Sequence, residues 1–232
     1  MKHIKKYIIE KLKISKNKSS KNRKYTLFPK SKDELKEMIK DEIDKNGYEC
    51  DLNHIDVSNI TNMYELFYKS NFNGDISEWD VSNVTSMNGM FYKSEFNGDI
   101  SEWDVSNVED MAYMFTYSSF NGDIYNWDVS SVKSMHGMFL NNKVFNNDIL
   151  EWNVSNVEDM SYMFGGSNFN KDIGDWNVSN VKYMDEMFSN NESFNQDISN
   201  WKMRSKCGTY HIFNNCPIED KYKPYQNGER IK

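Results

Sequence analysis

The sequence is poor in the residues that would staple, metallate or anchor a fold. Its three cysteines, Cys50, Cys207 and Cys216, are an odd number without CxxC spacing, so neither a zinc site nor a disulfide framework is indicated. They read as small buried hydrophobes in the end caps, although Cys207 and Cys216 could pair in an oxidising compartment. No apolar run approaches the length of a membrane span, and lysines interrupt residues 1–20 where a signal peptide needs an unbroken apolar core. No transmembrane segment and no export by the general secretory route are expected. That points to the cytoplasm or a virion, with cell-surface display requiring a non-classical route. Basic residues are scarce in the body: residues 50–216 hold nine Lys/Arg against twenty-four Asp/Glu. A phosphate backbone needs facing cations, so nucleic acid is not expected along this region. The four histidines, His3, His54, His136 and His211, are scattered, and His136 reads as a surface position. Catalysis needs unlike groups converging on one point, so an enzyme is the least expected class, and no cofactor or metal is implied.

What is present is a repeat. Tryptophan marks its period at Trp79, Trp103, Trp127, Trp152, Trp176 and Trp201, in steps of about 24 or 25 residues, within the range of leucine-rich solenoids. Two residues after the Trp position stands a Val column (Val57, Val81, Val105, Val129, Val154, Val178), followed by Ile60, Val84, Val108, Val132, Val157 and Val181. Met63, Met87, Met111, Met135, Met160 and Met184 come next. A second apolar site, Met90 in one copy and Leu66 in another, is always followed by Phe. The Trp-x-Val alternation predicts a short strand, and the three- and four-residue Met spacing predicts a helical turn. An Asn or Ser column (Asn59, Asn83, Asn107, Ser131, Asn156, Asn180, Ser205) is expected to N-cap that turn. The chain then returns through Phe72-Asn73 and its equivalents, whose Asn side chains are expected to bond the backbone of neighbouring coils. A periodic Trp is core; each indole buries roughly 150–250 Å².

The ends differ from the body. Residues 1–24 place Ile4, Tyr7, Ile8 and Leu12 on or beside one helical stripe, among lysines, followed by a low-complexity basic linker from residue 15. This segment is expected to attach the protein to a larger assembly by docking on protein rather than membrane, since its stripe is narrow and lacks Trp or Phe. Within residues 25–54, Ser31 and Glu34 form a capping box opening a helix with Leu35, Met38, Ile39 and Ile43 on one face and Gly47 as its stop. That helix has the form of an N-terminal cap. Repeats occupy residues 55–213, about seven copies. In the last, Met203, Lys206 and Thr209 replace core residues, and residues 214–232 read as cap edge and frayed tail.

The pattern Phe-Asn-x-Asp-Ile-x-x-Trp-x-Val-Ser-x-Val-x-x-Met-x-x-Met-Phe resembles the BspA-type leucine-rich repeat surface proteins, in the roughly 25-residue subgroup of mycoplasmas, gut bacteria and their phages. The resemblance implies a right-handed solenoid and, for some members, adhesion to host or neighbouring-cell proteins; it carries over no catalytic residue. The expected fold class is an α/β repeat, leucine-rich-repeat-like, with one short strand and one short helical turn per coil behind a helical cap.

Two acidic columns are candidates for recognition. Asp75, Asp99, Asp123, Asp148, Asp172 and Asp197 stand one above another. Backbone amides of the adjacent turn, rather than Ca²⁺, are expected to offset their repulsion, because the repeat does not cluster several oxygens in one loop. The second column flanks the Trp: Glu78, Asp80, Glu102, Asp104, Asn126, Asp128, Glu151, Asn153, Asp175 and Asn177 are expected to face outward. The reading from sequence is a non-enzymatic scaffold that binds a basic protein patch or a glycan through this face. The alternative is a structural or virion decoration protein that acts by self-association, its face inert.

Overall fold

The computed structural model of the protein describes residues 25–231. Among the described residues regular elements are few: one helix, α1 (Lys32–Asn46), a single 3-10 turn at Asp220–Tyr222, and a minimal antiparallel hairpin of β1 (Tyr225–Gln226) and β2 (Glu229–Arg230). Helix α1 starts where Ser31, in extended conformation, accepts the Glu34 N–H on its hydroxyl at 3.2 Å, while the Glu34 carboxylate accepts the Lys30 N–H at 2.8 Å. It ends at Gly47, whose positive φ of 84° turns the chain away as its N–H closes on Ile43 O at 2.8 Å. Leu35 and Ile39 are buried on the first coil, closing the exposed apolar cross-section there.

Beyond α1 the chain is laid down in parallel coils. Isolated parallel bridges link Asn62 to Ser86, Ser86 to Asp110, and onward through Ser134, Asp159 and Tyr183 to Gly208. Residues 48–54, assigned from sequence to the cap, already pair with the next coil: Asn73 N–H donates to Tyr48 O at 2.9 Å and Leu52 N–H to Asp75 O at 2.9 Å.

The pairing between coils corrects the expected secondary structure. Among the described residues the repeats contain neither a strand at Trp-x-Val nor a helix at the Met-Phe segment. In the second coil, Met87, Gly89, Phe91 and Lys93 each send their N–H to a carbonyl of the next coil, on Asp110, Ala112, Met114 and Thr116, at 2.8–3.0 Å. The intervening residues turn back: Met90 N–H bonds Met87 O and Tyr92 N–H bonds Gly89 O. A helix is excluded because two residues per coil, four apart, are left-handed, as at Glu65 and Lys69, Gly89 and Lys93, or Tyr113 and Tyr117. Each non-glycine in that state costs about 1–2 kcal/mol, offset here by turning every second N–H towards the neighbouring coil.

The core is a set of ring columns. Trp79, Trp103, Trp127, Trp152, Trp176 and Trp201 are buried, and each indole N–H donates to the carbonyl of the preceding coil's apolar residue, for example Trp103 to Ile76 at 3.1 Å and Trp127 to Ile100 at 3.0 Å. Phe67, Phe91, Phe115, Phe139, Phe164 and Phe188 stack with centroids 5.5–5.8 Å apart. The Asn83 column staples coils rather than capping helices: Asn83, Asn107, Asn156 and Asn180 donate side-chain N–H to Ser58, Ser82, Ser130 and Ser155 carbonyls. The return-loop Asn column also pairs coil to coil, with Asn97 N–H on Asn73 Oδ1 at 2.8 Å and Asn121 N–H on Asn97 Oδ1 at 2.7 Å.

The C-terminal segment packs back on the last coil. Ile218 and Pro224 are buried, Tyr222 O accepts the Ile198 N–H at 3.0 Å, and Gln226 donates to the Arg204 and Cys207 carbonyls at 2.9 Å. Polar bonding to the last coil replaces the next repeat. The three cysteines are free thiols, with Cys207 buried.

Candidate functional site

All ten residues of the expected recognition face, Glu78, Asp80, Glu102, Asp104, Asn126, Asp128, Glu151, Asn153, Asp175 and Asn177, are solvent-exposed. Five of them make local bonds that shape the chain. Asp80 Oδ1 accepts both the N–H and the hydroxyl of Ser82, at 3.2 and 2.6 Å, and Asp104 does the same with Ser106. Asp128, Asn153 and Asn177 accept the N–H two residues on. These are Asx turns that shape the loop leaving the Trp. The Asp75 column is used likewise: Asp75, Asp99, Asp123, Asp148, Asp172 and Asp197 each accept the N–H two residues ahead, at 2.9–3.0 Å. For Asp75, burial raises the carboxyl's pKa, but bonds from Ser77 and Asn53 outweigh it and hold the group below its ordinary value. No group of three or more His, Cys, Asp or Glu among the described residues is placed to hold a metal ion. The expected attachment residues Ile4, Tyr7, Ile8 and Leu12 lie outside the described residues.

A different face concentrates exposed rings. The turn segment that carries the inter-coil bonding points Tyr64, Tyr68, Tyr113, Tyr117, Tyr183 and Tyr210 outward, each between 36% and 66% exposed. They are not independent. Tyr68 and Tyr92 stack at 5.2 Å with planes 17° apart, and Tyr92 meets Tyr117 edge-on at 6.3 Å. Ammonium groups sit over these rings: Lys69 is 4.8 Å from Tyr68, and Lys93 is 5.6 Å from Tyr92 and 5.0 Å from Tyr117. One column away, Tyr113 packs edge-on against His136 at 4.8 Å, and His136 lies 5.6 Å from Tyr162. His136 Nδ1 is 3.2 Å from Asp159 Oδ2, and Tyr162 donates to Glu186 at 2.9 Å.

The physical cause is the left-handed turn. Its buried positions are Met and Phe, whereas its outer positions lie beside those of the next coil, so that Tyr68, Tyr92 and Tyr117 hold one another. Burial raises the Tyr113 hydroxyl's pKa, and the Glu186 partner raises that of Tyr162, so these phenols stay protonated as donors. Sequence reasoning missed this ridge because its tyrosines occupy several columns, none of them invariant. Alignment of the residues around Met87 and Met90 across copies carried the signal.

No helix among the described residues is long and apolar enough to cross a membrane. Two overlapping stretches, residues 33–139 and 116–223, match a family model described as "Mycoplasma protein of unknown function, DUF285". No curated protein and no solved structure matches the chain.

Proposed function

The chain belongs to this DUF285 family, whose two matches together run from residue 33 to residue 223, and from that footing we propose that it is a right-handed, leucine-rich-repeat-like solenoid of the BspA type acting as a non-enzymatic protein-binding scaffold. The binding surface is the tyrosine ridge of the turn face, not the acidic column. The observation that carries this reading is the Tyr68–Tyr92–Tyr117 array with Lys69 and Lys93 laid over it. Tyrosine offers large contact area at little cost in side-chain entropy, and rings already held by neighbours lose still less on binding. A protein fits better than a glycan, because sugars stack on open ring faces and here those faces are occupied by neighbouring rings and ammonium groups. Edges and hydroxyls are what remain for a partner. Closure of the two ends by α1 and by the C-terminal hairpin favours lateral recognition over end-to-end assembly.

The test is a displayed-peptide library panned on the immobilised full chain. Selected binders are then measured against Tyr68→Ser/Tyr92→Ser/Tyr117→Ser and, separately, Asp80→Asn/Asp104→Asn/Asp128→Asn. Loss of affinity on the order of tenfold or more in the tyrosine variant alone supports the ridge. Loss in the acidic-face variant alone moves the site there.

A further inference from the structure

The loop leaving the last Trp departs from its counterparts in both charge and register. In the six coils before it, an Asp or Asn (Asp56, Asp80, Asp104, Asp128, Asn153, Asn177) accepts the N–H two residues on, at 3.0–3.2 Å. Lys202 stands at this position in the last coil and has no oxygen to offer. The turn moves one residue along: Cys207 N–H closes on Arg204 O at 3.1 Å, where the coil before closes Val181 on Val178. Cys207 then takes the buried place, and Lys202, Arg204 and Lys206 are all exposed. The C-terminal hairpin clamps this loop, Gln226 donating to the Arg204 and Cys207 carbonyls at 2.9 Å and Asn227 to the Ser205 carbonyl at 3.0 Å.

We infer that this loop, residues 202–206, is a docking point for an acidic segment of a partner protein, separate from the tyrosine ridge and independent of it. Three of the nine Lys/Arg between residues 50 and 216 fall within the loop, and no Asp or Glu stands between Asp197 and Glu219. Nor are the three neutralised from elsewhere. Among the described residues none of them forms an ion pair, whereas Lys182 is held by Glu158 at 2.7 Å, Lys221 by Glu219 at 2.9 Å and Lys223 by Asp220 at 2.8 Å. A carboxylate suits this set, because the guanidinium offers a planar pair of donors that its two oxygens match, and the ammonium groups add charge on either side along the chain. The hairpin already fixes the backbone, so little loop entropy is lost on binding. A nucleic-acid strand fits less well, since beyond three cations its phosphates would run past the acidic columns of the preceding coils.

Fluorescence anisotropy of a labelled Glu-Ser repeat peptide, titrated with the full chain, is compared with a Gln-Ser repeat and with an oligothymidylate. Saturable binding of the Glu-Ser peptide and not of the Gln-Ser one is expected, weakening as salt is raised. Carbodiimide cross-linking of the bound peptide is expected to mark Lys202 and Lys206. Lys202→Asn/Arg204→Ser introduces the residues that Asn177 and Ser179 carry in the preceding coil, so the coil is retained, as tryptophan fluorescence will report. This variant is expected to bind on the order of tenfold more weakly, and Lys206→Gln several-fold more weakly. Lys143→Ser/Lys171→Ser, which removes two exposed lysines elsewhere, and Tyr68→Ser/Tyr92→Ser/Tyr117→Ser are expected to bind as the parent does. Unchanged affinity in the loop variants, cross-links that miss both lysines, or an equal loss in the Lys143 and Lys171 variant overturns the inference. Tighter binding of the oligothymidylate overturns the partner class, and a loss confined to the tyrosine variant moves the acidic segment to the ridge.

Discussion

Asn142 Oδ1 accepts the backbone N–H of Phe145, three residues along the chain, at 2.8 Å. In shorter coils the same task falls to serine: Ser94 Oγ accepts from Phe96, and Ser118 Oγ from Phe120, two residues along. Asn191 repeats the longer reach to Phe194 at 3.0 Å. The two asparagines sit in the two coils with 25-residue tryptophan spacing, fully buried, with their amide N–H groups on the Phe120 and Phe169 carbonyls. Side-chain length therefore matches loop length.

Asn142→Ser is expected to destabilise the protein by ~2–3 kcal/mol, because serine cannot span the extra residue and leaves buried backbone groups unpaired. Deleting Lys143 in the same variant restores the short-coil geometry. Chemical denaturation should show most of the loss recovered in the double variant; an additive further loss would disprove the coupling.

Trp127 separates packing from hydrogen bonding. Trp127→Phe keeps a ring in the column but removes one of the two N–H groups on the Ile100 carbonyl, which keeps the Trp103 N–H at 3.2 Å, at a cost of about 0.5–1.5 kcal/mol. Trp127→Ala adds a cavity, for about 3–5 kcal/mol. A Trp127→Phe variant as stable as the parent would show that the indole N–H contributes nothing.

The tyrosine ridge should be nearly silent in stability. Tyr117, about half exposed, packs on the outside of its coil, so Tyr117→Ser is expected to shift unfolding by about 0.5 kcal/mol or less while weakening any ridge-bound partner. A large loss of stability would assign the ridge a structural role.

Acid should unfold the protein through specific carboxylates. Burial raises the Asp159 carboxyl's pKa, but bonds from His136 and Ser161 hold it below the usual range, and Asp75 is lowered too. A folded pKa below the unfolded value of about 3.9 means stability that is present above that pH and is lost as pH falls through the folded value. Urea midpoints should therefore drop below about pH 4. Asp159→Asn, whose amide oxygen can still accept the Ser161 N–H, should flatten that limb.

Much of the architecture was written in the chain. Six tryptophans at nearly constant spacing require a continuous interior, and buried Val, Met and Phe columns follow from it. The Ser31–Glu34 capping box is equally local, since three residues of chain decide it. The polar columns were legible as columns but not by partner. Asn83 looks like a helix cap in sequence and is a staple in space, because its acceptor, Ser58 O, lies a whole coil away.

The sequence by itself determined the period, the core and the two unlike ends, because burial of apolar groups at fixed spacing depends only on which residues recur. Only the tertiary structure decided what links the coils. The Met-x-x-Met-Phe spacing fits a helix until neighbouring coils offer carbonyls. Left-handed residues such as Lys93 and Tyr117 then turn alternate N–H groups outward along the stack, and the tyrosines between them become a surface. That choice rests on hydrogen bonds between residues more than twenty positions apart, which no local pattern records.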